Sequence, residues 1–198
     1  MLVIGITGVI GSGKTTVASI IEEEGFKVYY TDKIAKEIIE TDETVRKKLV
    51  SEFGKEVFNE KGQLDNKYLS DLVFNNEDDS NLIKLNNIIH PIVIQKMIEI
   101  TKSCENDGDK IIFFESALIF EAGLEDGFDY IITVVSDIDK TVERLKSKMS
   151  KIDILKRMSK QLPQEDKAKN SDFVIENNGS IEELKKSVRF ILNIVKSV

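Results

Sequence analysis

The sequence is poor in cysteine and in net positive charge, and each shortage excludes a class of protein. Its one cysteine, Cys104, cannot form an intramolecular disulfide, and it supplies too few thiols for a zinc cluster. The formal net charge of −7 argues against a protein that grips nucleic acid with its whole surface, because a phosphate backbone favours a basic footprint. We therefore expect a protein of a reducing compartment that has no nucleic-acid partner.

Long apolar runs are also missing. The first run, "LVIGIT" at 2–7, has no basic leader, and it is too short for a signal peptide or a membrane span. No repeat, low-complexity tract or linker rich in proline, glycine or serine divides the 198 residues. The expectation is a single cytoplasmic domain without a membrane partner, either monomeric or weakly homo-oligomeric.

Short apolar runs alternate with longer amphipathic stretches. Strand candidates are 2–7, 27–30, 110–115, 130–135 and 172–176, and helix candidates are 14–24, 33–40, 44–53, 66–74, 80–104, 137–149 and 180–196. Continuous apolar runs are typical of strands that are buried on both faces. The alternation predicts an α/β fold with a five-stranded parallel sheet between two layers of helices. Because the stretch at about 33–107 has helix patterns and no strand candidate, we expect an inserted helical subdomain there.

The segment "GVIGSGKT" at 8–15 carries the strongest chemical signal. Gly8, Gly13, Lys14 and Thr15 match the pattern G-x-x-x-x-G-K-[ST] between a strand candidate and a helix candidate, which is the context that the pattern needs. Glycines let backbone N–H groups turn toward a phosphate, and the positive end of the following helix adds to the attraction. Lys14 would bridge the β- and γ-phosphates of a nucleotide, and the Thr15 hydroxyl would hold Mg²⁺. A glycine-rich turn without a ligand is the alternative, which the flanking elements disfavour.

Two carboxylates follow strand candidates. Asp32 comes after 27–30, where the end of a parallel strand faces the ligand crevice, so its carboxylate could take a proton from an attacking hydroxyl. Position alone equally allows Thr31 or Asp32 to cap the next helix. Glu115 ends the run "IIFFE", where such folds place an acidic residue near the metal, and a solvated strand end is the alternative.

One histidine and one strongly basic segment lie outside the phosphate loop. His90 precedes Pro91 in the helical stretch, where a packed or hydrogen-bonding role is more common than ligand contact. The segment 144–160 has seven basic residues and one acidic residue. It is either a solvated helix face or a mobile basic lid that brings positive charge to the γ-phosphoryl oxygens. On the second interpretation the chain divides into a core at about 1–32, 108–140 and 170–198, the insertion at about 33–107 and a lid at about 141–169.

Several segments together resemble the dephospho-CoA kinase family over essentially the whole chain. They are "IGITGVIGSGKTTV" at 4–17, "TDKIAKEI" at 31–38, "GQLDNKYLSDLVF" at 62–74, "IIHPIV" at 88–93, "ALIFEAG" at 117–123, "VERL" at 142–145 and "DFVIENNGS" at 172–180. The resemblance implies a three-layer P-loop kinase fold. It also implies transfer of the γ-phosphoryl group of ATP, with Mg²⁺, to the 3′-hydroxyl of the ribose of dephospho-CoA, which is the last step of coenzyme A synthesis.

The resemblance implies roles for individual residues as well. The catalytic residues would be Lys14, Asp32 as general base and Arg144 as the first lid arginine. Asp32 and His90 would border the acceptor, and the inserted helices would bind the CoA-like substrate. Thr15 would be the metal ligand, and the residues that bind ATP would be Gly11, Ser12, Gly13, Lys14, Thr15 and Thr16.

The chain departs from the family pattern at three places. Ala117 stands where proline is usual, and Asn66 stands where arginine is common. Lys148 and Met149 occupy the positions of a second lid arginine and its aspartate. These departures leave two other hypotheses open: a nucleotide-binding module with weak or lost transfer, and a kinase for another small-molecule hydroxyl.

Overall fold

The computed structural model describes residues 1–74 and 78–198, and its centre is one parallel sheet. The strands are Leu2–Thr7 (β1), Lys27–Tyr30 (β2), Ile111–Glu115 (β3), Tyr130–Val135 (β4) and Phe173–Glu176 (β5). They lie in the order β2-β3-β1-β4-β5, and every neighbouring pair is parallel. The predicted α/β class and five-stranded parallel sheet are confirmed.

Helices connect the strands. They are Lys14–Glu23 (α1), Thr31–Thr41 (α2), Glu43–Phe53 (α3), Asn66–Phe74 (α4), Ser80–Asn106 (α5), Ile138–Leu145 (α6), Lys151–Ser159 (α7), Gln164–Lys169 (α8) and Ile181–Val195 (α9), with 3₁₀ turns at Lys55–Val57 and Glu125–Gly127. Within residues 1–74 and 78–198, no helix combines the length and the apolar run that crossing a bilayer requires.

Three helices differ from the sequence prediction. The helix predicted over 137–149 ends at Leu145, and α7 and α8 were not predicted. Periodicity could not reveal α8, because its six residues are too few to display an apolar stripe. Helix α7 has four apolar side chains, but Ile152 and Leu155 are exposed while Ile154 is buried, so they do not share one buried face.

Helices α1 and α9 pack on one face of the sheet. Ile6, Ile132 and Val134 are buried in the cluster that these helices complete. Side chains along a strand point alternately to the two faces, so Thr133 points to the opposite face. There its hydroxyl donates to the carbonyl of Lys167, in α8, at 3.4 Å. The sheet is therefore covered on both faces, as the alternating pattern predicts.

A capping box fixes the start of α9. The Ser180 side chain accepts from the Glu183 N–H, and the Glu183 carboxylate accepts from the Ser180 N–H at 2.7 Å. These bonds lower the pKa of Glu183. Each buried apolar side chain of α9 adds about 1.5–3 kcal/mol of hydrophobic stabilisation. These side chains are Leu184, Val188, Ile191, Leu192 and Val195.

The chain divides into two compact units, which are Met1–Tyr30 with Cys104–Val198, and Thr31–Ser103. The first unit holds all five strands. The described part of the second unit is helical apart from the isolated bridge between Phe58 and Leu64. The Arg46 guanidinium lies 4.0 Å from the ring centre of Phe58 and donates to the Gly62 carbonyl at 2.7 Å. Arg46 thereby fastens the turn before α4 to α3.

A buried ion pair fastens α8 to the turn after β3. The Lys167 side chain is fully buried, and its Nζ donates to the Ala117 carbonyl at 2.7 Å. The same Nζ lies 2.7 and 2.8 Å from the two carboxylate oxygens of Glu121. Burial lowers the pKa of Lys167, and Glu121 opposes that shift. Glu121 also accepts from the Leu162 N–H at 2.8 Å, so it holds both α8 and the segment before it.

Removing Glu121 should cost more stability than removing Lys167. In Glu121→Ala a fully buried ammonium loses its counter-charge, for which we expect a loss of about 3–5 kcal/mol in the free energy of unfolding. Lys167→Met fills the site with an apolar chain and leaves the partly exposed Glu121 bonded to Leu162, so its loss should be smaller. Urea unfolding at neutral pH measures both, and equal losses would contradict this account.

The Glu121→Ala variant should also recover stability as pH rises. Without its partner, Lys167 has a folded-state pKa below that of the unfolded chain, so the unfolded state binds more protons between these two values. Stability therefore increases with pH through that window, up to the ordinary lysine pKa. The parent chain is the control: its Lys167 pKa is lowered too, but Glu121 opposes that shift, so its gain in stability with rising pH should be smaller.

Candidate active site

The phosphate loop joins β1 to α1, and glycine is required at its narrowest points. Gly11 and Gly13 have φ values of 75° and 100°, a region that other residues rarely adopt. A Cβ on Gly11 would lie 2.7 Å from the side chains of Thr141 and Leu145, and one on Gly13 would overlap the Asn177 amide. The loop can pass between α6 and the segment after β5 because Gly11 and Gly13 have no side chains.

Arg144, in the last turn of α6, joins three segments around the loop. Its Nη1 donates to the carbonyls of Gly11 and Ser12 at 3.4 Å each and to Ser136 Oγ at 2.8 Å. Its Nη2 donates to the Asn177 carbonyl at 2.6 Å. The guanidinium therefore binds carbonyls of the phosphate loop and links them to the ends of β4 and β5.

Asn177 fixes the orientation of one peptide of the loop. Its buried Nδ2 donates to the Ser12 carbonyl at 2.8 Å. The peptide is trans, so the N–H of Gly13 points away from that carbonyl and from Asn177. Asn177 thus turns the Gly13 N–H toward the side of the loop where a phosphate oxygen can accept it.

Lys14 begins α1, and its side chain is buried inside the loop. Its Nζ donates to the Val9 carbonyl at 3.3 Å and lies 4.0 Å from Glu115 Oε1. Glu115, at the end of β3, is only 6% exposed. The interpretation of Glu115 as a solvated strand end is therefore wrong, and its carboxylate instead faces the cation of the loop.

The loop fits a bound polyphosphate with its metal ion. The Ser12 hydroxyl is buried and has no hydrogen-bond partner among the described residues, so a phosphate oxygen could accept from it. Thr15 and Thr16 are exposed in the first turn of α1. The Thr15 hydroxyl is therefore a group that could hold a divalent metal ion beside the phosphates.

Asp32 and His90 belong to the helical unit. Since α2 begins at Thr31, Asp32 lies inside the first turn, and its predicted alternative role as the helix cap is wrong. Its side chain is exposed, at the helix end that favours negative charge. His90 lies within α5 and is half-buried, and burial lowers its pKa, so its imidazole is neutral at neutral pH. The sheet unit brings together the loop, Glu115 and Arg144.

The basic segment 144–160 is not one continuous helix face. Arg144 contacts the loop, Lys146 pairs with Glu143, and Lys148 is exposed in the turn between α6 and α7. A new helix begins at Lys151, where the Ser150 side chain accepts from the Asp153 N–H. The predicted single solvated helix face is therefore wrong, and a lid function of this segment stays a prediction.

Three residues at the loop were not predicted from the sequence. Asn177 and Ser136 directly follow β5 and β4, so the rule that ligands bind at the ends of parallel strands could have found them. The strand-end rule could not have found Gln161, because this residue lies between two short helices and does not follow a strand. It nevertheless accepts from the Ile10 N–H at 2.8 Å.

The contacts of Arg144 predict that lysine cannot replace it. A lysine ammonium lacks the planar fork that spans several acceptors, so Arg144→Lys should weaken Mg²⁺–ATP binding almost as much as Arg144→Ala. We expect a loss of about 10- to 100-fold for both, the range for hydrogen bonds to a charged group. Calorimetric titration measures it, with Lys169→Arg as the control at an exposed position of α8. If Arg144→Lys binds Mg²⁺–ATP as tightly as the parent does, the positive charge alone is sufficient for binding and the prediction is wrong.

Comparison with known proteins identifies the family. The dephospho-CoA kinase family model matches residues 2–183. The dephospho-CoA kinase of Fusobacterium nucleatum subsp. nucleatum is 40% identical over 190 residues, which cover 95% of each chain. The structure of dephospho-CoA kinase from Campylobacter jejuni is similar, with a TM-score of 0.70, 25% identity and coverage of 98% of this chain and 96% of that one. The structure of shikimate kinase from Acinetobacter baumannii covers 100% of this chain and 94% of its own, with a TM-score of 0.51 and 12% identity, and thus shares the fold alone. This chain belongs to the dephospho-CoA kinase family.

Proposed function

We propose that this protein transfers the γ-phosphoryl group of ATP to the 3′-hydroxyl of the ribose of dephospho-CoA, giving ADP and coenzyme A. The observation that carries the proposal is the family match over residues 2–183, which includes the phosphate loop, the whole helical unit and most of the sheet unit. The geometry of the loop supports it, because the loop is shaped for a polyphosphate. The likeness to shikimate kinase concerns the fold and does not favour another acceptor.

On the donor side, the loop would hold the phosphates of ATP. Gly11, Ser12, Gly13, Lys14, Thr15 and Thr16 would surround the β-phosphate at the positive end of α1. Lys14 rests against the Val9 carbonyl and Glu115, so its cation is already inside the loop before the nucleotide binds. It would exchange these oxygens for those of the β- and γ-phosphates.

Mg²⁺ and Arg144 would stabilise the negative charge on the phosphate oxygens during transfer of the phosphoryl group. Mg²⁺, when bound, supplies a positive centre that neutralises the phosphate oxygens, and the Thr15 hydroxyl would hold it. Arg144 binds the outward carbonyls of Gly11 and Ser12 and so lies next to the same loop. We assign it the role of stabilising the transferred phosphoryl group, in addition to holding the loop.

On the acceptor side, the helical unit would bind dephospho-CoA. Asp32 would accept the proton of the 3′-hydroxyl, because its exposed carboxylate is the first acidic group after β2. His90, which its lowered pKa keeps neutral, would border the acceptor as an uncharged hydrogen-bonding group. No step of the proposed reaction requires a charged histidine.

The proposal predicts a specific acceptor. With Mg²⁺, ATP and dephospho-CoA, the purified protein should form ADP and coenzyme A in equal amounts, as a coupled assay with chromatographic identification of both products measures. Adenosine and shikimate are the control acceptors, and neither should be phosphorylated at a comparable rate. A protein that binds Mg²⁺–ATP yet forms no coenzyme A would overturn the proposal.

Asp32→Asn should slow transfer without weakening nucleotide binding. The amide cannot accept the hydroxyl proton, so we expect turnover to fall by about 10²- to 10⁴-fold, the range for positioned proton transfer. The affinity for ATP and the melting temperature should stay close to the parent values, since the side chain is exposed. Initial rates, an ATP titration and a thermal melt on one preparation measure all three.

Glu40→Gln is the matched control for Asp32→Asn. Glu40 is an exposed acid of the same helix, and its described partner is Lys36, four positions earlier, at 3.9 Å. Its loss should leave turnover unchanged. If Asp32→Asn retains a rate within about threefold of the parent, Asp32 is not the general base.

A further inference from the structure

The segment between α7 and α8 places one side chain against the phosphate loop. Gln161 is half-buried, and its Oε1 accepts from the Ile10 N–H at 2.8 Å. We propose that Gln161 is a positioning residue, which acts on Lys14 through the Val9–Ile10 peptide and so sets the affinity of the loop for ATP. The inference rests on the proposed function for its substrate, but it concerns nucleotide binding alone.

One peptide plane connects Gln161 to Lys14. In a trans peptide the carbonyl of Val9 and the N–H of Ile10 point in opposite directions. Because Gln161 holds the N–H on one side, the Val9 carbonyl is turned to the other. There it accepts from Lys14 Nζ at 3.3 Å and from the Ser12 N–H at 3.2 Å. The hydrogen bond from Ile10 to Gln161 therefore fixes the oxygen on which the Lys14 cation rests.

Gln161 is itself held on both sides along the chain. Its own N–H donates to the Met158 carbonyl at 3.0 Å, at the end of α7. The next residue, Leu162, donates its N–H to Glu121 at 2.8 Å, and Glu121 is paired with the buried Lys167. The side chain thus extends from a fixed piece of backbone, and the loop is ordered before a ligand arrives.

A neutral amide suits this position. Gln161 offers the Ile10 N–H an acceptor oxygen without adding negative charge beside a loop that is to hold several phosphate charges. The loop thus obtains its partner for Ile10 without a repulsive carboxylate. The ordering also reduces the conformational entropy that binding must remove, which raises affinity without a direct contact to the ligand.

The test uses Gln161→Met, which keeps the length of the side chain and removes the acceptor. We expect the Kd for Mg²⁺–ATP to rise about tenfold, the upper end of the range for the loss of one neutral hydrogen bond, while the melting temperature without nucleotide stays close to that of the parent. The KM for dephospho-CoA should not change. Gln161→Asn, which draws the oxygen back by one methylene, should shift the Kd in the same direction if Gln161→Met does not fold.

Gln164→Met is the matched control. Gln164 lies three positions further along, and its Oε1 also accepts from a backbone N–H, that of Ser136, at 3.3 Å. Its loss should change the Kd for Mg²⁺–ATP by no more than about twofold. An equal rise in both variants would overturn the proposal, because the effect would then belong to the segment and not to Ile10.

A double-mutant cycle separates positioning of Lys14 from general loosening of the loop. If Gln161 acts through Lys14, the Gln161→Met effect on the Kd, measured by calorimetry, should disappear in a Lys14→Met background. The same factor in both backgrounds would overturn the proposal. Because calorimetry needs no acceptor, a parent that binds Mg²⁺–ATP but forms no coenzyme A would refute the proposed function while this inference could still be tested.

Discussion

The site depends on the hydrogen-bond donors that bind the carbonyl oxygens on the outside of the phosphate loop. A loop that turns N–H groups toward a phosphate must turn its carbonyls the other way, since the two ends of a trans peptide point in opposite directions. Buried carbonyls without a partner are costly. Arg144 and Asn177 supply donors to the outward carbonyls of Gly11 and Ser12, whereas Lys14 bonds the Val9 carbonyl from inside the loop. Arg144 and Asn177 thus order the loop from two other places in the chain.

The same constraint explains how an acidic chain holds an anion. The net charge is −7, yet two of the cations at the centre of the sheet unit are buried and oriented, namely Lys14 beside Glu115 and Lys167 beside Glu121. Burial of a charge is costly unless it is paired. Lys14 can exchange its oxygen partners for phosphate, whereas Lys167 is fully buried between α8 and the turn after β3 and fixes the surrounding structure.

Ala117, where the family pattern has proline, shows how a departure can leave local bonding unchanged. Its carbonyl accepts from Lys167 at 2.7 Å and from the Thr7 hydroxyl at 3.4 Å. Proline offers the same carbonyl oxygen, so both hydrogen bonds are available with either residue. Lys148, in contrast, lies exposed in the turn after α6, and none of its described contacts reproduces the acceptors that Arg144 holds.

The sequence by itself determined the sheet and the loop, because both depend on neighbours along the chain. Runs of apolar residues predicted all five strands to within one residue, and the glycine and lysine spacing located the phosphate loop. Apolar spacing along the chain did not predict α7 and α8, because neither helix presents several apolar side chains on one buried face. The burial of Glu115 likewise followed from its place in the sheet, beside Ile6 and Tyr30.

Only the tertiary structure decided which side chains order the loop. Gln161 meets Ile10 from 151 positions away, and Asn177 meets Ser12 from 165 positions away. Asn177 directly follows β5, which marks it as a candidate without indicating its partner, and Gln161 lies in an irregular segment without such a signal. Their partners are set by the sheet order, which brings the ends of β1, β4 and β5 together, and by the ion pair that holds the segment before α8. Local sequence patterns do not predict which residues these side chains contact, because the contacts form only on folding and join positions that are far apart in the sequence.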